Sequence, residues 1–181
     1  MPKKILQKEN KILREVAKEV PLVEIGKPKT KKILKEMSQA LARESDGVAL
    51  AAPQIGYPLR IFLVTGKIFM KAPTPKGVGV PTASVGKKPK DLVFINPKIT
   101  KLSREKAWLP EGCLSVRPFY GKTHRSKKAT IAAYDERGKK ITRGASGLLA
   151  QIFQHETDHL EGILFIDHAK DIYEEKPEIK T

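Results

Sequence analysis

Two histidines on one face of the last predicted helix constrain this chain more than any other feature. The segment His155-Glu156-Thr157-Asp158-His159 fits the pattern H-E-x-x-H. Successive residues of an α-helix turn by about 100°, so the two imidazoles differ in direction by only about 40° and lie one turn apart. Both can therefore reach one metal ion, and Glu156 lies close enough to contact a water on that metal.

The apolar residues around these histidines predict a largely buried helix over residues 147–161. They are Leu148, Leu149, Ile152, Phe153, Leu160 and Ile163. Gly162 is expected to end the helix. Burying two imidazoles and a carboxylate without partners costs several kcal/mol. A metal ion is the simplest partner for all three groups, whereas two surface histidines remain the alternative.

The chain has a single cysteine, Cys113, in the segment EGCLS at residues 111–115. A thiolate added to two imidazoles gives three ligands and leaves one position open for water, as in catalytic metal sites. The alternative is a small buried hydrophobic residue. The preceding Gly112 favours the metal interpretation, because it indicates a close backbone approach that a buried filler does not require.

A third segment, GVALAAPQIG at residues 47–56, consists mostly of small residues. It predicts a wall against which an extended substrate lies, with the Gln54 amide directed at a developing oxyanion. The alternative is a tight crossing of the core after the first long helix.

The remaining pattern predicts an α+β fold, because strands precede a late helix without regular βαβ alternation. Predicted elements are a strand over 4–7, a helical stretch over 12–20 and a helix that begins after Pro28, with Thr30 as a candidate cap, and ends near Asp46. They continue with strands over 59–65 and 92–95, the second stopped by Asn96-Pro97, and a hairpin over 129–134 and 139–143. We expect one catalytic domain over 1–168, with a long basic loop at 66–90 rich in Pro, Gly and Lys, and a short polar tail over 169–181.

Composition limits location and partners. Thirty-five Lys and Arg against 20 Asp and Glu give a net charge of +15, which favours an anionic partner such as ribosomal RNA, although a solvated lysine-rich surface explains it equally well. No apolar run approaches the roughly 18 residues of a membrane span. A lone cysteine excludes an internal disulfide, and the N-terminus lacks a targeting pattern, so we expect a cytoplasmic protein.

Taken in order, GVALAAPQIG, EGCLS and QHETDHLEG resemble the three motifs of the peptide deformylases. These metallohydrolases remove the formyl group from N-formylmethionine on new bacterial chains. The resemblance extends from about residue 5 to about residue 167. It implies short antiparallel or mixed sheets around a buried C-terminal metal-binding helix, and a monomer that acts on nascent polypeptides and releases formate.

The resemblance also implies a ligand set and a metal. Cys113, His155 and His159 would bind one divalent ion, with Fe(II) as the native metal and Zn or Ni(II) as alternatives that suit the same ligands. Glu156 would act as general base and then as general acid.

Further roles follow from the same resemblance. The Leu114 main-chain N–H and the Gln54 side chain would bind the oxyanion. Glu111 and Arg125 would form a supporting pair behind the ligand loop. The methionine pocket and peptide groove would be lined by Gly47, Val48, Ala49, Leu148 and Ile152.

One departure from the family motif and two rival functions remain to be weighed. The family motif usually reads G-x-G-L-A-A-P-Q-x-G, and Ala49 replaces its second glycine, from which we expect slightly weaker peptide binding. One rival to the deformylase interpretation is a peptidase whose third metal ligand is His168. The variants Cys113→Ala and His168→Ala would distinguish the two, because only loss of a true ligand removes the metal. An RNA-associated module without enzymatic activity is the other, although Glu156 and Gln54 argue against it.

Overall fold

The computed structural model describes residues 3–69 and 89–175. Two α-helices and eight strands form the described part: α1 Pro28–Arg43 and α2 Gly147–Leu160, with β1 Ala49–Ala51, β2 Ile61–Val64, β3 Leu92–Leu102, β4 Lys106–Gly112, β5 Phe119–Ser126, β6 Lys128–Tyr134, β7 Lys140–Ser146 and β8 Lys170–Glu174. The strands pair antiparallel in two sheets, of order β1-β2-β3-β6-β7 and β4-β5-β8. The predicted α+β class is confirmed.

The five-stranded sheet lies between the two helices, and its alternating side chains explain this layering. On β1, Ala49 and Ala51 belong to the apolar cluster that includes α2, whereas Leu50 belongs to the cluster that includes α1. Because successive residues of a strand point to opposite faces, the three residues of β1 are enough to contact both helices.

An aromatic cluster fixes α2 on its face of the sheet. The rings of Phe62 and Phe94 stack at 4.7 Å between centroids, and Phe153 of α2 meets Phe94 edge-on at 5.2 Å. All three side chains are buried, and each buried ring of this size contributes about 1.5–3 kcal/mol of hydrophobic stabilisation. The apolar positions that predict helix α2 are therefore the positions that hold it in place.

Helix α2 ends as the sequence predicts. Gly162 has a φ of +72°, its N–H donates to the His159 carbonyl at 3.2 Å, and the Ile163 N–H donates to the Asp158 carbonyl at 2.9 Å. This pair of bonds is the Schellman motif, which needs a left-handed residue. A Cβ on Gly162 would also lie 2.6 Å from the Arg14 carbonyl oxygen, so glycine is required for two reasons.

The predictions for the N-terminal third are partly wrong. Residues 4–7 form no strand, and in the stretch 12–20 the only helical turn is the 3₁₀ helix Lys11–Arg14. Thr30 is not the cap of α1: it lies inside the helix, which begins after Lys27, and its hydroxyl donates to the Glu24 carbonyl at 2.7 Å. Pro28 at the first helical position explains this start, because its missing N–H costs nothing there.

The prediction that a strand stops at Asn96-Pro97 is also wrong, because β3 continues to Leu102. Asn96 has a φ of +50°, a left-handed conformation that asparagine tolerates well. Its side chain accepts from the Val20 N–H and donates to the Val20 carbonyl, both at 2.8 Å. The pairing with β6 shifts register after Ile95 and then resumes, so the turn signal produces a bulge.

The hairpin of β6 and β7 is confirmed, around a turn closed by Asp135. The basic loop predicted for 66–90 falls mostly on residues 70–88, which lie outside the described residues; residues 66–69 form a 3₁₀ turn. Where the sequence suggests a polar tail from residue 169, residues 170–174 form strand β8 beside β5. Neither described helix is long and apolar enough to cross a membrane.

Candidate metal and catalytic site

Three predicted ligands meet between α2 and the loop that follows β4. One ligand atom from each of Cys113, His155 and His159 lies within 4.8 Å of the others. The Cys113 Sγ is 3.2 Å from the His159 Nε2. The helix therefore brings both imidazoles to the sole thiol of the chain, 42 residues earlier than His155 in the sequence.

Local backbone geometry places the thiol. Gly112 pairs with Tyr120 across β4 and β5, and a Cβ on Gly112 would lie 2.5 Å from the tyrosine ring. After this close approach the chain turns, with the Val116 N–H donating to the Cys113 carbonyl at 3.0 Å and the Ser115 N–H pointing to the sulfur at 3.4 Å. The close approach that the sequence predicts at Gly112 is therefore present, and the group that approaches the backbone is the Tyr120 ring.

A buried ionic network orients the first histidine. The His155 Nδ1 is 2.6 Å from the Glu111 Oε1, and Arg125 donates to both oxygens of Glu111 at 2.7 and 3.1 Å. Thr123 donates to the same carboxylate at 2.5 Å, and the second arm of Arg125 reaches Asp158 at 2.6 Å. With Nδ1 held by a carboxylate, Nε2 is the nitrogen left for a metal.

The network also fixes the charges behind the site. Burial opposes ionisation of Glu111, but hydrogen bonds from His155 and Arg125 outweigh it and hold the pKa of Glu111 far below its usual range. Burial likewise lowers the pKa of His155, but contacts with Cys113 and Glu111 more than compensate and raise it well above 6.5. A metal ion bound at Nε2 would displace the proton from that nitrogen. Glu111 is therefore a fixed anion.

The other two functional groups of α2 are buried without such support. Within the described residues, the Glu156 Oε2 and the His159 Nδ1 have no hydrogen-bond partner. Burial, reinforced by nearby carboxylates, raises the pKa of Glu156 to about 7, although His155 opposes the rise. Burial lowers the pKa of His159 well below 6.5, so this imidazole is neutral, the form that binds metals.

This donor set fits a divalent cation. One thiol sulfur and two imidazole nitrogens converge, one imidazole is oriented by a carboxylate and the other is neutral. That combination suits Zn, Fe(II) and Ni(II) rather than Ca or Mg, which prefer oxygen. The Glu156 carboxylate, whose Oε2 has no partner among residues 3–69 and 89–175, lines the same cleft.

Gln54 lies next to the Cys113 thiol. It belongs to the 3₁₀ helix Ala52–Ile55, which follows β1 directly. Its Oε1 accepts from the Ala51 N–H at 2.8 Å, which leaves the amide nitrogen facing Ser115 Oγ at 3.0 Å and Cys113 Sγ at 3.6 Å. The side chain is buried and held at both ends, and its N–H donors point towards Ser115 and the Cys113 sulfur.

A cleft of about 340 Å³ opens onto these groups. Its lining includes every residue for which the sequence predicts substrate contact: Gly47, Val48, Ala49, Leu148 and Ile152. Leu114 also lines it, beside Cys113. Leu148 is 52% exposed and Val48 is 37% exposed, so two apolar side chains stand at the mouth where a substrate can cover them.

Sequence reasoning missed several residues of this site. Gln151 donates to the Pro110 carbonyl at 2.9 Å and to Glu111 at 3.2 Å, and its place one turn before His155 on the same helix face is a signal that could have found it. The roles of Thr123 and Asp158 depend on pairing between distant elements. His168 lies outside the ligand cluster and contacts Asp158 at 3.3 Å, so the geometry gives no support to the rival peptidase ligand set.

A thiol and two imidazoles beside a buried carboxylate, with apolar side chains in the same cleft, define the site of a hydrolytic metalloenzyme. The family model described as "Polypeptide deformylase" matches residues 2–175 of the chain. The chain belongs to the peptide deformylase family.

Individual relatives agree with this assignment. The chain is 40% identical over 159 residues to the chloroplastic peptide deformylase 1A of Solanum lycopersicum, covering 86% of this chain but only 55% of that protein. It is 36% identical to the peptide deformylase of Desulforudis audaxviator, covering 95% and 96% of the two chains. A Met-Ala-Ser-bound crystal structure of an Acinetobacter baumannii peptide deformylase superposes with a TM-score of 0.75 at 27% identity, covering 91% of this chain and 96% of that one.

Proposed function

We propose that this chain removes the N-terminal formyl group from N-formylmethionyl peptides and releases formate, using a divalent metal ion. The observation that carries the proposal is the convergence of Cys113, His155 and His159 with the Glu156 carboxylate in one cleft. Membership of the deformylase family supports the choice of substrate.

The same three residues would hold the metal, and we assign Fe(II) as the native ion, with Zn or Ni(II) as substitutes. A divalent ion held there would lower the pKa of a bound water towards roughly 7, so that a nucleophile is available at neutral pH. Ligand chemistry alone does not separate these metals, and the preference for iron comes from the family. Metal analysis of anaerobically purified protein tests it, and activity unchanged by prolonged aeration would contradict it.

Glu156 supplies the base. Its carboxylate takes a proton from the attacking water and passes it to the nitrogen of the departing amine, which leaves a free N-terminus and formate. A pKa of about 7 in the buried pocket suits this exchange, because such a group can both accept and donate a proton at neutral pH.

Gln54 and Leu114 stabilise the oxyanion. In this mechanism the Gln54 amide N–H and the Leu114 main-chain N–H donate to the oxygen that becomes negative as the formyl carbon turns tetrahedral. The hydrogen bond from Ala51 to the Gln54 Oε1 fixes the amide orientation, so little reorganisation is needed when charge develops.

The methionine side chain and the peptide of the substrate bind in the cleft in this proposal. Leu148, Ile152 and Val48 offer an apolar wall of a size that suits an unbranched thioether. The Acinetobacter relative with bound Met-Ala-Ser supports a peptide in this groove. Ala49 lies in β1 and lines the cleft, and we propose that its methyl group slightly weakens peptide binding; an unchanged KM in Ala49→Gly would contradict this.

Formate release from an N-formylmethionyl tripeptide, with and without a chelator, tests the activity. Chelation should abolish release, and added Fe(II) should restore it. Glu156→Gln should retain the metal but turn over about 10²–10⁴-fold more slowly. Full activity after complete metal removal, or a Glu156→Gln enzyme with the native rate, would overturn the mechanism.

We place this reaction on nascent chains in the cytoplasm, with a monomer as the acting unit and the ribosome as the source of substrate. The net charge of +15 supports an anionic neighbour. Cosedimentation with translating ribosomes and the molar mass in solution test these two assignments.

A further inference from the structure

The outer face of the three-stranded sheet carries aromatic and basic side chains that neither the core nor the metal site uses. Because side chains alternate along a strand, β4 and β5 present one set inward, including Glu111 and Arg125, and a second set outward. The outward set comprises Lys106, Trp108, Lys122, His124 and, from β8, Lys170 and Tyr173; all six are exposed.

Two aromatic stacks lie on this face. Trp108 and His124 are opposite each other across β4 and β5, with ring centroids 5.0 Å apart and planes 18° apart. Tyr120 and Tyr173 stack in the same way across β5 and β8, at 6.0 Å and 24°. Trp108 remains 43% exposed and Tyr173 54% exposed, so large ring surfaces are open to solvent.

Lysines surround these rings. The Lys170 Nζ lies 4.6 Å from the Trp108 ring centroid, a cation–π contact. Lys122 and Lys170 are direct cross-strand partners, an arrangement of like charges that destabilises a sheet. Of Lys106, Lys122 and Lys170, only Lys122 has an acidic partner within the described residues, which is Asp171 at 3.2 Å.

We propose that this face binds single-stranded RNA, with bases stacked on Trp108 and Tyr173 and phosphates held by Lys106, Lys122 and Lys170. Rings on a sheet surface flanked by cations form the usual platform for single-stranded nucleic acid. The net charge of +15 makes the whole chain complementary to such a polyanion. Lysines beside interfacial aromatic rings also suit an acidic membrane, so vesicle binding is one of the outcomes that the test below separates.

The outer face of the three-stranded sheet lies next to the cleft. Tyr120 belongs to one stack and also lines the cleft, so RNA bound there lies beside the entrance for the peptide. This extends the proposed action on nascent chains, because ribosomal RNA would keep the cleft near new N-termini. RNA binding measured without a formylated substrate is independent of deformylase activity, so either proposal can fail alone.

Fluorescence anisotropy with a labelled 12-nucleotide oligouridine, at two salt concentrations, tests the proposal on the full chain. Trp108→Ala should weaken binding about tenfold through loss of stacking. Lys106→Glu combined with Lys170→Glu should weaken binding at least about tenfold and reduce the slope of log K against log salt by about two. Turnover of a short formyl peptide should not change in either variant and serves as the check on folding.

The matched control is Lys29→Glu combined with Lys35→Glu, which makes the same charge change at two exposed positions of α1. It should weaken RNA binding less than about threefold. An equal loss in both lysine pairs, together with no effect of Trp108→Ala, would show unspecific attraction and overturn the proposal. Binding to phosphatidylserine vesicles but not to the oligouridine would overturn it as well.

Discussion

The two halves of the candidate site are built in different ways. The helix half, comprising His155, Glu156 and His159, comes from five consecutive residues of α2. The sheet half, comprising Gln54, Glu111 and Cys113, comes from segments up to 59 residues apart that meet only when both sheets have formed. One half depends on helical spacing, whereas the other depends on tertiary structure.

The halves also differ in how their polar atoms are satisfied. Both oxygens of Glu111 have partners, and the amide of Gln54 is bonded at both ends. In contrast, Glu156 Oε2 and His159 Nδ1 are buried without partners among the described residues. Buried unpaired groups are costly, and they persist where chemistry needs them. We infer that the sheet half supplies a fixed thiol, a fixed amide donor and the support for His155, whereas Glu156 of the helix half performs the proton transfer.

The largest effect should come from Cys113, the proposed metal ligand in the sheet half. Cys113→Ala removes the thiolate from a three-ligand set, so we expect bound metal to fall far below one per chain and activity to fall to the chelated level. Elemental analysis and formate release measure this. His168→Ala is the control and should keep both metal and activity; the reverse pattern would instead favour the rival peptidase ligand set.

The second largest effect should come from Gln54, which in the proposed mechanism stabilises the oxyanion and does not bind the metal. Gln54→Ala should lower kcat about 10²–10³-fold, equivalent to about 2.7–4 kcal/mol in the barrier, while metal content stays near that of the native chain. Gln39→Ala, at an exposed position of α1, should have no effect. Native turnover by the Gln54 variant would remove this amide from the mechanism.

Glu111→Gln tests whether the sheet half positions the helix half. The variant keeps an oxygen for His155 but loses the charge that pairs with Arg125, so metal affinity should fall about 10–100-fold. Stability should fall by up to about 3–5 kcal/mol, because a buried guanidinium loses a partner. Competition with a chelator and urea unfolding measure the two effects.

The pH dependence of stability gives a second measure of Glu111→Gln. The pKa of Glu111 is lowered in the folded chain, so its ionisation stabilises the fold above the ordinary glutamate pKa, and this stabilisation is lost as the pH falls through the folded value. The variant should lack this acid-side loss. Asp167→Asn, which breaks an exposed pair with Arg14, should cost only about 0.2–1 kcal/mol. Similar costs for the two variants would contradict the buried network.

The same contrast explains what the sequence can predict. The helix half follows from local rules: apolar spacing, the H-E-x-x-H pattern and the Gly162 stop all describe neighbours in the chain, and α2 is confirmed over Gly147–Leu160. Strand β2 and the β6–β7 hairpin follow from equally local signals. Motif similarity also identified Cys113 and Gln54, although residue spacing alone does not say that they meet.

Sequence reasoning failed where pairing decides the structure. Strands β4, β5 and β8 carry Lys, Arg, Glu, Pro and Gly, a composition with little β pattern, and they form a sheet because their alternate residues supply the ionic network and the outer face. Asn96 is a turn signal that became a bulge because its side chain bonds to Val20, 76 residues away. Such partners cannot be read from a window of neighbouring residues.

The smallest effect should come from Gln151 of α2, whose amide donates to the Pro110 carbonyl and to the Glu111 carboxylate of β4 and so joins the two halves. Gln151→Ala removes two hydrogen bonds at a partly exposed position, so unfolding free energy should fall by about 1 kcal/mol, with a smaller loss of metal affinity than in Glu111→Gln. Gln151→Glu should be worse, because its carboxylate would lie beside Glu111 and accept rather than donate. An alanine variant more damaging than the glutamate variant would mean that packing, not the hydrogen bond to Glu111, is what Gln151 contributes.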